Sequence, residues 1–123
     1  MLTIKEHEPL GPKTTMRIGG LARYYAELES KEDVEEAYKF AKDKNIPLIV
    51  FGAGSNTIFA DGTINALVVR IKASNVSIDN NQVIAESGKN LAQLVNELAD
   101  QGLDLSTLTG IPGTFGGAVI GNA

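Results

Sequence analysis

The sequence predicts a protein of mixed helices and strands that divides into two small subdomains. In residues 1–71 a strand, a helix and two further strands follow one another, in the βαβ order typical of a parallel sheet. From residue 72 the pattern changes to a short hairpin and a second helix. A chain of 123 residues, of which 43% are hydrophobic and 21% charged, is able to bury a core. We therefore expect one subdomain over residues 1–71 and another over residues 72–123.

The first strand and helix are marked by aromatic content and by capping residues. Residues 22–28, ARYYAEL, are typical of a strand, and Ser30 then caps a helix with Asp33 at the capping-box distance. One face of this helix is a dense run of Glu and Lys that we interpret as solvated. Its apolar positions follow the i, i+3, i+4, i+7 spacing: Val34, Ala37, Tyr38 and Ala41. Asn45 and Pro47 end the helix.

Two continuously apolar runs predict the parallel strands that follow. PLIVF at 47–51 and ALVVRI at 66–71 have the pattern of strands that are covered on both faces. GAGSN comes directly after the first run, and we name Gly52–Asn56 the first glycine segment. It is expected at the carboxyl edge of the sheet, which is where ligands bind in open α/β sheets.

The second subdomain is predicted from a turn and a cap. Two short strands are expected on either side of Asp79-Asn80-Asn81, which has the composition of a hairpin turn. Asn90 then caps a helix that ends at Gly102. The buried stripe of this helix is predicted at Leu91, Leu94, Val95 and Leu98.

Composition and charge exclude several classes of function. A net charge of −4, with no basic cluster, argues against nucleic acid or an anionic membrane as a partner. There is no cysteine and His7 is the only histidine, so a disulfide framework and a zinc site are not expected. The start MLTIKEHEPL does not have the pattern of a signal peptide, and a cytoplasmic protein is expected. The uncharged, glycine-rich end GGAVIGNA suggests a fragment of a longer protein.

The first glycine segment fits neither common nucleotide motif. It lacks the GK[ST] of a P-loop, and Thr57 stands where a dinucleotide fingerprint has glycine or alanine. On its own it is compatible with a plain turn or with a loop whose backbone amides hold an anion.

A second glycine segment, Gly110–Ala118, reads GIPGTFGGA. Pro112 suits the first turn of a helix, which would place Gly113 and Thr114 at a helix amino end able to bind an anion. Because no Lys or Arg is close in sequence to either segment, neutral donors are expected to hold the ligand. These donors would be backbone amides, together with the side chains of Ser55, Asn56 and Thr114.

Nothing in the sequence predicts a catalytic centre. There is no GxSxG motif, and no histidine is positioned to activate Ser55. His7 is interpreted as a surface residue. The chain is therefore expected to bind, with the chemistry supplied by a cofactor or by residues beyond position 123.

Three motifs occur along the chain: KTTMRIGGLA, GAGSN and GIPGTFGGA. In order and spacing they resemble the amino-terminal part of the UDP-N-acetylenolpyruvoylglucosamine reductase (MurB) family. KTTMRIGGLA resembles the family pattern NTTxxxGGxA, with Lys13 in place of Asn. The strand followed by GAGSN is the second motif, and GIPGTFGGA is the third. The family continues the third motif with NAGAYG, of which Asn122-Ala123 are the beginning. The resemblance covers essentially the whole chain.

The resemblance implies an α+β fold, the FAD-binding domain shared with vanillyl-alcohol oxidase and p-cresol methylhydroxylase. Two small subdomains would hold FAD non-covalently; the second is incomplete here, and the substrate-binding domain is absent. The two glycine segments would wrap the FAD pyrophosphate and neighbouring atoms. The implied cofactor-binding residues are Gly52, Ala53, Gly54, Ser55, Asn56, Ile111, Pro112, Gly113, Thr114, Gly116, Gly117 and Ala118.

The reaction implied by the resemblance belongs to peptidoglycan synthesis. NADPH reduces FAD, which reduces the UDP-sugar substrate UDP-N-acetylglucosamine enolpyruvate to UDP-N-acetylmuramate. The family's catalytic serine, arginine and glutamate would lie beyond residue 123, so we expect no turnover from this chain. Two alternatives stay open: the FAD-binding domain of another oxidoreductase of the same fold, and a non-catalytic module that binds a nucleotide-like anion.

Overall fold

The computed structural model describes residues 2–121 and contains two sheets and three α-helices in that range. Short 3₁₀ turns occur at Gly11–Lys13 and Ser106–Leu108. The strands and helices are, in chain order, β1 Lys5–Pro9, β2 Leu21–Leu28, α1 Lys31–Lys44, β3 Leu48–Phe51, β4 Thr63–Ile71, β5 Val76–Asp79, β6 Gln82–Ala85, α2 Leu91–Asp100 and α3 Phe115–Ile120.

The larger sheet has the strand order β1-β2-β4-β3. Strands β2, β4 and β3 are parallel, as the sequence predicts, and β1 is antiparallel to β2. Strand β1 is not predicted from the sequence, because KEHEP is an edge strand whose residues are mostly exposed and do not alternate between apolar and polar. The carboxyl ends of β3 and β4 therefore lie side by side at one edge.

The capping of α1 is confirmed, but its predicted apolar face is partly wrong. Ser30 Oγ accepts a hydrogen bond from the Asp33 N–H at 3.1 Å. Ala37 and Ala41 are buried, whereas the side chains of Val34 and Tyr38 are 44% and 63% exposed. The small alanines allow the helix to approach the sheet closely. The buried face of the helix follows these alanines and extends on the side opposite Tyr38. There Phe40 packs edge-on against Tyr24, with ring centroids 5.0 Å apart.

The two faces of the larger sheet are covered differently. Helix α1 covers the face that carries Leu67 and Val69. The opposite face, which carries Val68, is covered by Leu10 and Phe59 from irregular segments. Loops therefore reach the sheet on this second face and at its carboxyl edge, where the glycine segments lie.

The second part of the chain contains the predicted hairpin and α2. Asn80 has a φ of 55° in the turn between β5 and β6, and Asn90 Oδ1 accepts from the Gln93 N–H at 3.0 Å. The predicted stripe of α2 is buried: Leu91, Leu94, Val95 and Leu98. The larger sheet ends with β4 at Ile71, and the smaller sheet begins with β5 at Val76. The division into subdomains 1–71 and 72–123 stays a proposal.

Helix α3 begins later than predicted. Its N-cap is Thr114, so Pro112 precedes the helix instead of occupying its first turn. Gly113 lies between Pro112 and Thr114 and has a φ of 108°, so the backbone changes direction just before the N-cap. The expectation about Asn122 and Ala123 lies outside the described residues. No helix of residues 2–121 is long and apolar enough to cross a membrane.

Candidate functional site

The first glycine segment follows β3 directly and packs against the chain at Lys13–Thr15, which we name the anchor segment. The Thr15 N–H donates to the Gly54 carbonyl at 3.0 Å. Gly54 is buried and has a φ of 75°. A Cβ on Gly54 would lie 2.7 Å from the Lys13 carbonyl oxygen and 2.9 Å from Thr14 Cα. Both the backbone angle and the close approach therefore require glycine here.

Thr14 fixes the anchor segment, although its place in the motif KTTMRIGGLA does not by itself predict this role. Thr14 is 4% exposed, its hydroxyl donates to the Gly11 carbonyl at 3.0 Å, and its Oγ1 accepts from the Arg17 N–H at 3.1 Å. These bonds satisfy a buried hydroxyl and shape the turn that the first glycine segment contacts.

The second glycine segment lies against the first. Any Cβ on Gly52 would overlap the hydroxyl oxygen of Thr114, and a Cβ on Gly113 would lie 2.8 Å from Ser55 Oγ. Two segments that are about sixty residues apart in sequence thus meet through glycines that leave no room for side chains.

Four consecutive amides of the first glycine segment have no acceptor within residues 2–121. The N–H groups of Ala53, Gly54, Ser55 and Asn56 donate no hydrogen bond to a protein atom in this part of the chain. Successive free amides in a turn form a concave site for the oxygens of an anion. This donor set fits a phosphate or pyrophosphate group, so the residues present are compatible with FAD.

At the amino end of α3 the amides of residues 115–117 are already used by the protein, whereas the Gly113 and Thr114 N–H groups donate to no protein atom of residues 2–121. The anion site expected there stays a prediction, with fewer free amides than the sequence suggests. The N–H groups of Phe115 and Gly116 donate to the carbonyls of Lys89 and Ser87, at 2.7 and 2.9 Å. The Gly117 N–H donates to Thr114 Oγ1 at 3.2 Å. The protein itself uses these donors, because they attach α3 to the loop before α2. Gly116 in addition allows close contact, since its Cβ would lie 3.0 Å from the Ser87 carbonyl oxygen.

A cation lies close to the first glycine segment in space, although none is close to it in sequence. Arg70, at the carboxyl end of β4, donates from Nε to the Gly52 carbonyl at 3.0 Å and from Nη2 to the Lys13 carbonyl. Its guanidinium lies 4.6 Å from the centroid of the Phe51 ring. The available signal was the parallel pairing of two apolar strands, which places Arg70 opposite Phe51, the residue just before the first glycine segment.

Tyr25 belongs to the same buried cluster as Phe51, the residue just before the first glycine segment. It is 1% exposed, and its hydroxyl donates to Glu27 Oε2 at 3.0 Å. Burial raises the pKa of Tyr25 well above its ordinary value, and the hydrogen bond to Glu27 adds to this shift. Lys13 Nζ lies 4.4 Å from the Tyr25 ring centroid and forms an ion pair with Glu8 at 3.2 Å.

Neither an activated nucleophile nor a cluster of metal ligands occurs among residues 2–121. Ser55 is half-buried and no ionisable side chain is hydrogen-bonded to it in residues 2–121, so nothing there activates it as a nucleophile. No group of three or more potential metal ligands occurs in the described part of the chain. His7 lies on the edge strand β1.

A family model described as an FAD binding domain matches residues 22–123. The chain belongs to this FAD binding domain family. The α+β fold class and the resemblance noted from the motifs are confirmed by the same match and by the relatives that follow.

The curated relatives are UDP-N-acetylenolpyruvoylglucosamine reductases. The protein of Synechococcus sp. (strain WH7803) is 37% identical over 124 residues, which cover 98% of this chain and 40% of that protein. The protein of Moorella thermoacetica is 37% identical over 124 residues, which cover 99% of this chain and 41% of that protein. The chain thus spans about two fifths of the length of these relatives.

A solved structure has the same fold. The crystal structure of UDP-N-acetylenolpyruvylglucosamine reductase (MurB) from Thermus caldophilus matches with a TM-score of 0.72 and 29% identity. The match covers 97% of this chain and 41% of the crystallised one.

Proposed function

We propose that this chain is the FAD-binding portion of a UDP-N-acetylenolpyruvoylglucosamine reductase, and that the first glycine segment binds the FAD pyrophosphate. The observation that carries the proposal is the run of four free amides at residues 53–56, held between the anchor segment and the second glycine segment. Backbone amides held in place before the ligand arrives bind phosphate oxygens without a further ordering cost.

The predicted site residues have different parts in this proposal. Gly52 and Gly54 allow the close packing that shapes the loop, and residues 53–56 supply the donors. Gly113 and Thr114 support the loop from the other side. The other members of the second glycine segment would flank the cofactor without donating amides to it: Ile111, Pro112, Gly116, Gly117 and Ala118.

Binding would be non-covalent, because the sequence contains no cysteine and its one histidine lies on β1. Bound FAD supplies the hydride chemistry, which no side chain of this protein is able to provide. The protein's own contribution is to bind the pyrophosphate and to fix its orientation.

The activity of a longer protein is part of the proposal. It would take hydride from NADPH and reduce a UDP-sugar enolpyruvate in peptidoglycan synthesis, in the cytoplasm. We propose that its catalytic residues lie outside residues 1–123. The support comes from the names of the relatives and from the lack of an activated nucleophile in the described residues.

The second candidate is a phosphate- or nucleotide-binding module without a redox role, because free amides alone suit any phosphate group. Titration of the flavin-free protein with FAD separates the two. Saturable quenching of flavin fluorescence is expected, and riboflavin, which has no pyrophosphate, should bind more weakly than FAD. If ADP binds but FAD does not compete with it, the flavin assignment is wrong and the second candidate stands.

A further inference from the structure

We propose that Arg70 is a positioning residue that turns the free amides of the first glycine segment toward the pyrophosphate. The inference deepens the proposed function and rests on it. Arg70 is not expected to touch the cofactor. It acts through two carbonyl groups, one in the first glycine segment and one in the anchor segment.

The geometry of the peptide unit connects Arg70 to a free amide. The Gly52 carbonyl and the Ala53 N–H belong to one peptide unit, and no cis peptide bond occurs in the described chain. In a trans peptide the C=O and N–H point in opposite directions. By accepting from Arg70 Nε at 3.0 Å, the Gly52 carbonyl therefore fixes the Ala53 N–H on the side away from the guanidinium.

The same arrangement occurs two residues further along. The Gly54 carbonyl accepts from the Thr15 N–H at 3.0 Å, which fixes the Ser55 N–H in the opposite direction. Thr15 belongs to the anchor segment, and the Lys13 carbonyl of that segment is the second acceptor of Arg70. One guanidinium thus orients the first free amide directly and the third through the anchor segment.

An arginine suits this position better than a lysine. The planar guanidinium donates to both carbonyls at once, and its stacking on Phe51 restricts its movement. An ammonium group is a point charge that does not present two fixed donors. Arg70→Lys keeps the positive charge but loses the two fixed donors. This variant therefore separates the orientation of the amides from electrostatic attraction.

Arg23 offers a matched control. Its Nη1 donates to Asn65 Oδ1 at 2.7 Å, and its guanidinium lies 5.1 Å from the Tyr24 ring centroid. It is thus an arginine of the same sheet, hydrogen-bonded and stacked on a ring, but near the end of β4 at which Thr63 lies. Arg23→Lys should remove a similar contact between a guanidinium and an aromatic ring without affecting the first glycine segment.

The first measurement is the affinity for FAD and for riboflavin in the parent, Arg70→Lys, Arg70→Gln and Arg23→Lys proteins. Loss of a charged hydrogen bond should weaken FAD binding by roughly ten- to a hundredfold in both Arg70 variants. Riboflavin, which has no pyrophosphate, should bind equally in all four. The inference is overturned if Arg70→Lys binds FAD as tightly as the parent, or if riboflavin binding weakens to the same extent.

The second measurement needs no ligand. Hydrogen exchange of the Thr15 amide should be at least roughly tenfold faster in both Arg70 variants, while that of the core Val68 amide stays unchanged. If the parent binds no FAD, the proposed function fails, but the exchange of Thr15 still decides whether Arg70 holds the two segments together. Unchanged protection of Thr15 in Arg70→Gln would refute that role.

Discussion

At the scale of single residues, Gly54 shows how the structure alters an interpretation. The motif alone does not distinguish a side chain that would fill the space of the ligand from one that would press on the support of the loop. The structure places the Cβ direction against the anchor segment, 2.7 Å from the Lys13 carbonyl oxygen. A side chain would therefore act on the support of the loop, and the free amides would be displaced as a consequence.

Gly54→Val is expected to lower FAD affinity at least roughly tenfold, because it combines a φ of 75° with a clash against backbone atoms. Flavin fluorescence titration measures the affinity, and far-ultraviolet circular dichroism should show unchanged helix content. Gly62→Ala is the control, since Gly62 has a φ of 81° but no atom within 4 Å of the added Cβ. That variant should lose about 1 kcal/mol of stability and keep its FAD affinity. Equal FAD binding by Gly54→Val and the parent would contradict the account.

Tyr25 gives a prediction about alkaline pH. Its folded-state pKa is raised above the ordinary 10.0 by burial, so the folded protein holds the phenol proton more tightly than the unfolded chain. The resulting stability is complete below about pH 10 and is lost as the pH rises toward the folded-state pKa. Tyr25→Phe should cost about 1 kcal/mol at neutral pH and reduce this alkaline loss.

Urea denaturation at neutral and alkaline pH measures the effect. Tyr38→Phe is the control, because the Tyr38 side chain is 63% exposed. An alkaline loss of the same size in Tyr25→Phe and in the parent would show that the Tyr25 hydroxyl is not the group responsible.

At the scale of elements, local signals were sufficient where capping and turn chemistry decide the structure. Ser30 and Asn90 cap α1 and α2 as expected, and Asn80 forms the hairpin turn. Local sequence signals did not predict the features that depend on tertiary contacts. The start of α3 depends on hydrogen bonds to Lys89 and Ser87, which no local pattern around Pro112 reveals.

Thr114 connects a helix cap to the site. Thr114→Ala removes the bond to the Gly117 N–H and the contact with Gly52, so we expect a loss of about 1 kcal/mol and weaker FAD binding. Ser30→Ala removes the comparable cap of α1 and should cost a similar free energy without weakening FAD binding. Denaturant unfolding and FAD titration of both variants give the comparison. Thr114 would have only a structural role if both variants bound FAD like the parent.

At the scale of the whole molecule, the sequence predicted that two glycine segments act together but not how. Composition and motif order pointed to a shared ligand. The contacts of Gly52 with Thr114 and of Ser55 with Gly113 depend on the path of some sixty residues between them. Arg70 was missed for the same reason, since only the pairing of β3 with β4 places it beside the first glycine segment.

The chain spans about two fifths of its curated relatives, and we expect it to bind the cofactor without turnover. Flavin-loaded protein mixed with NADPH and the UDP-sugar enolpyruvate should show no NADPH oxidation above that of free FAD. Oxidation that depends on the sugar substrate would place catalytic residues within residues 1–123, contrary to the proposal.

The most direct test of the account is a titration of the isotopically labelled 123-residue protein with FAD, followed by amide chemical shifts. The account predicts saturable shifts that are largest at the N–H groups of residues 53–56, with smaller changes at Gly113 and Thr114. Saturation with FAD that leaves the amides of residues 53–56 unchanged would contradict it.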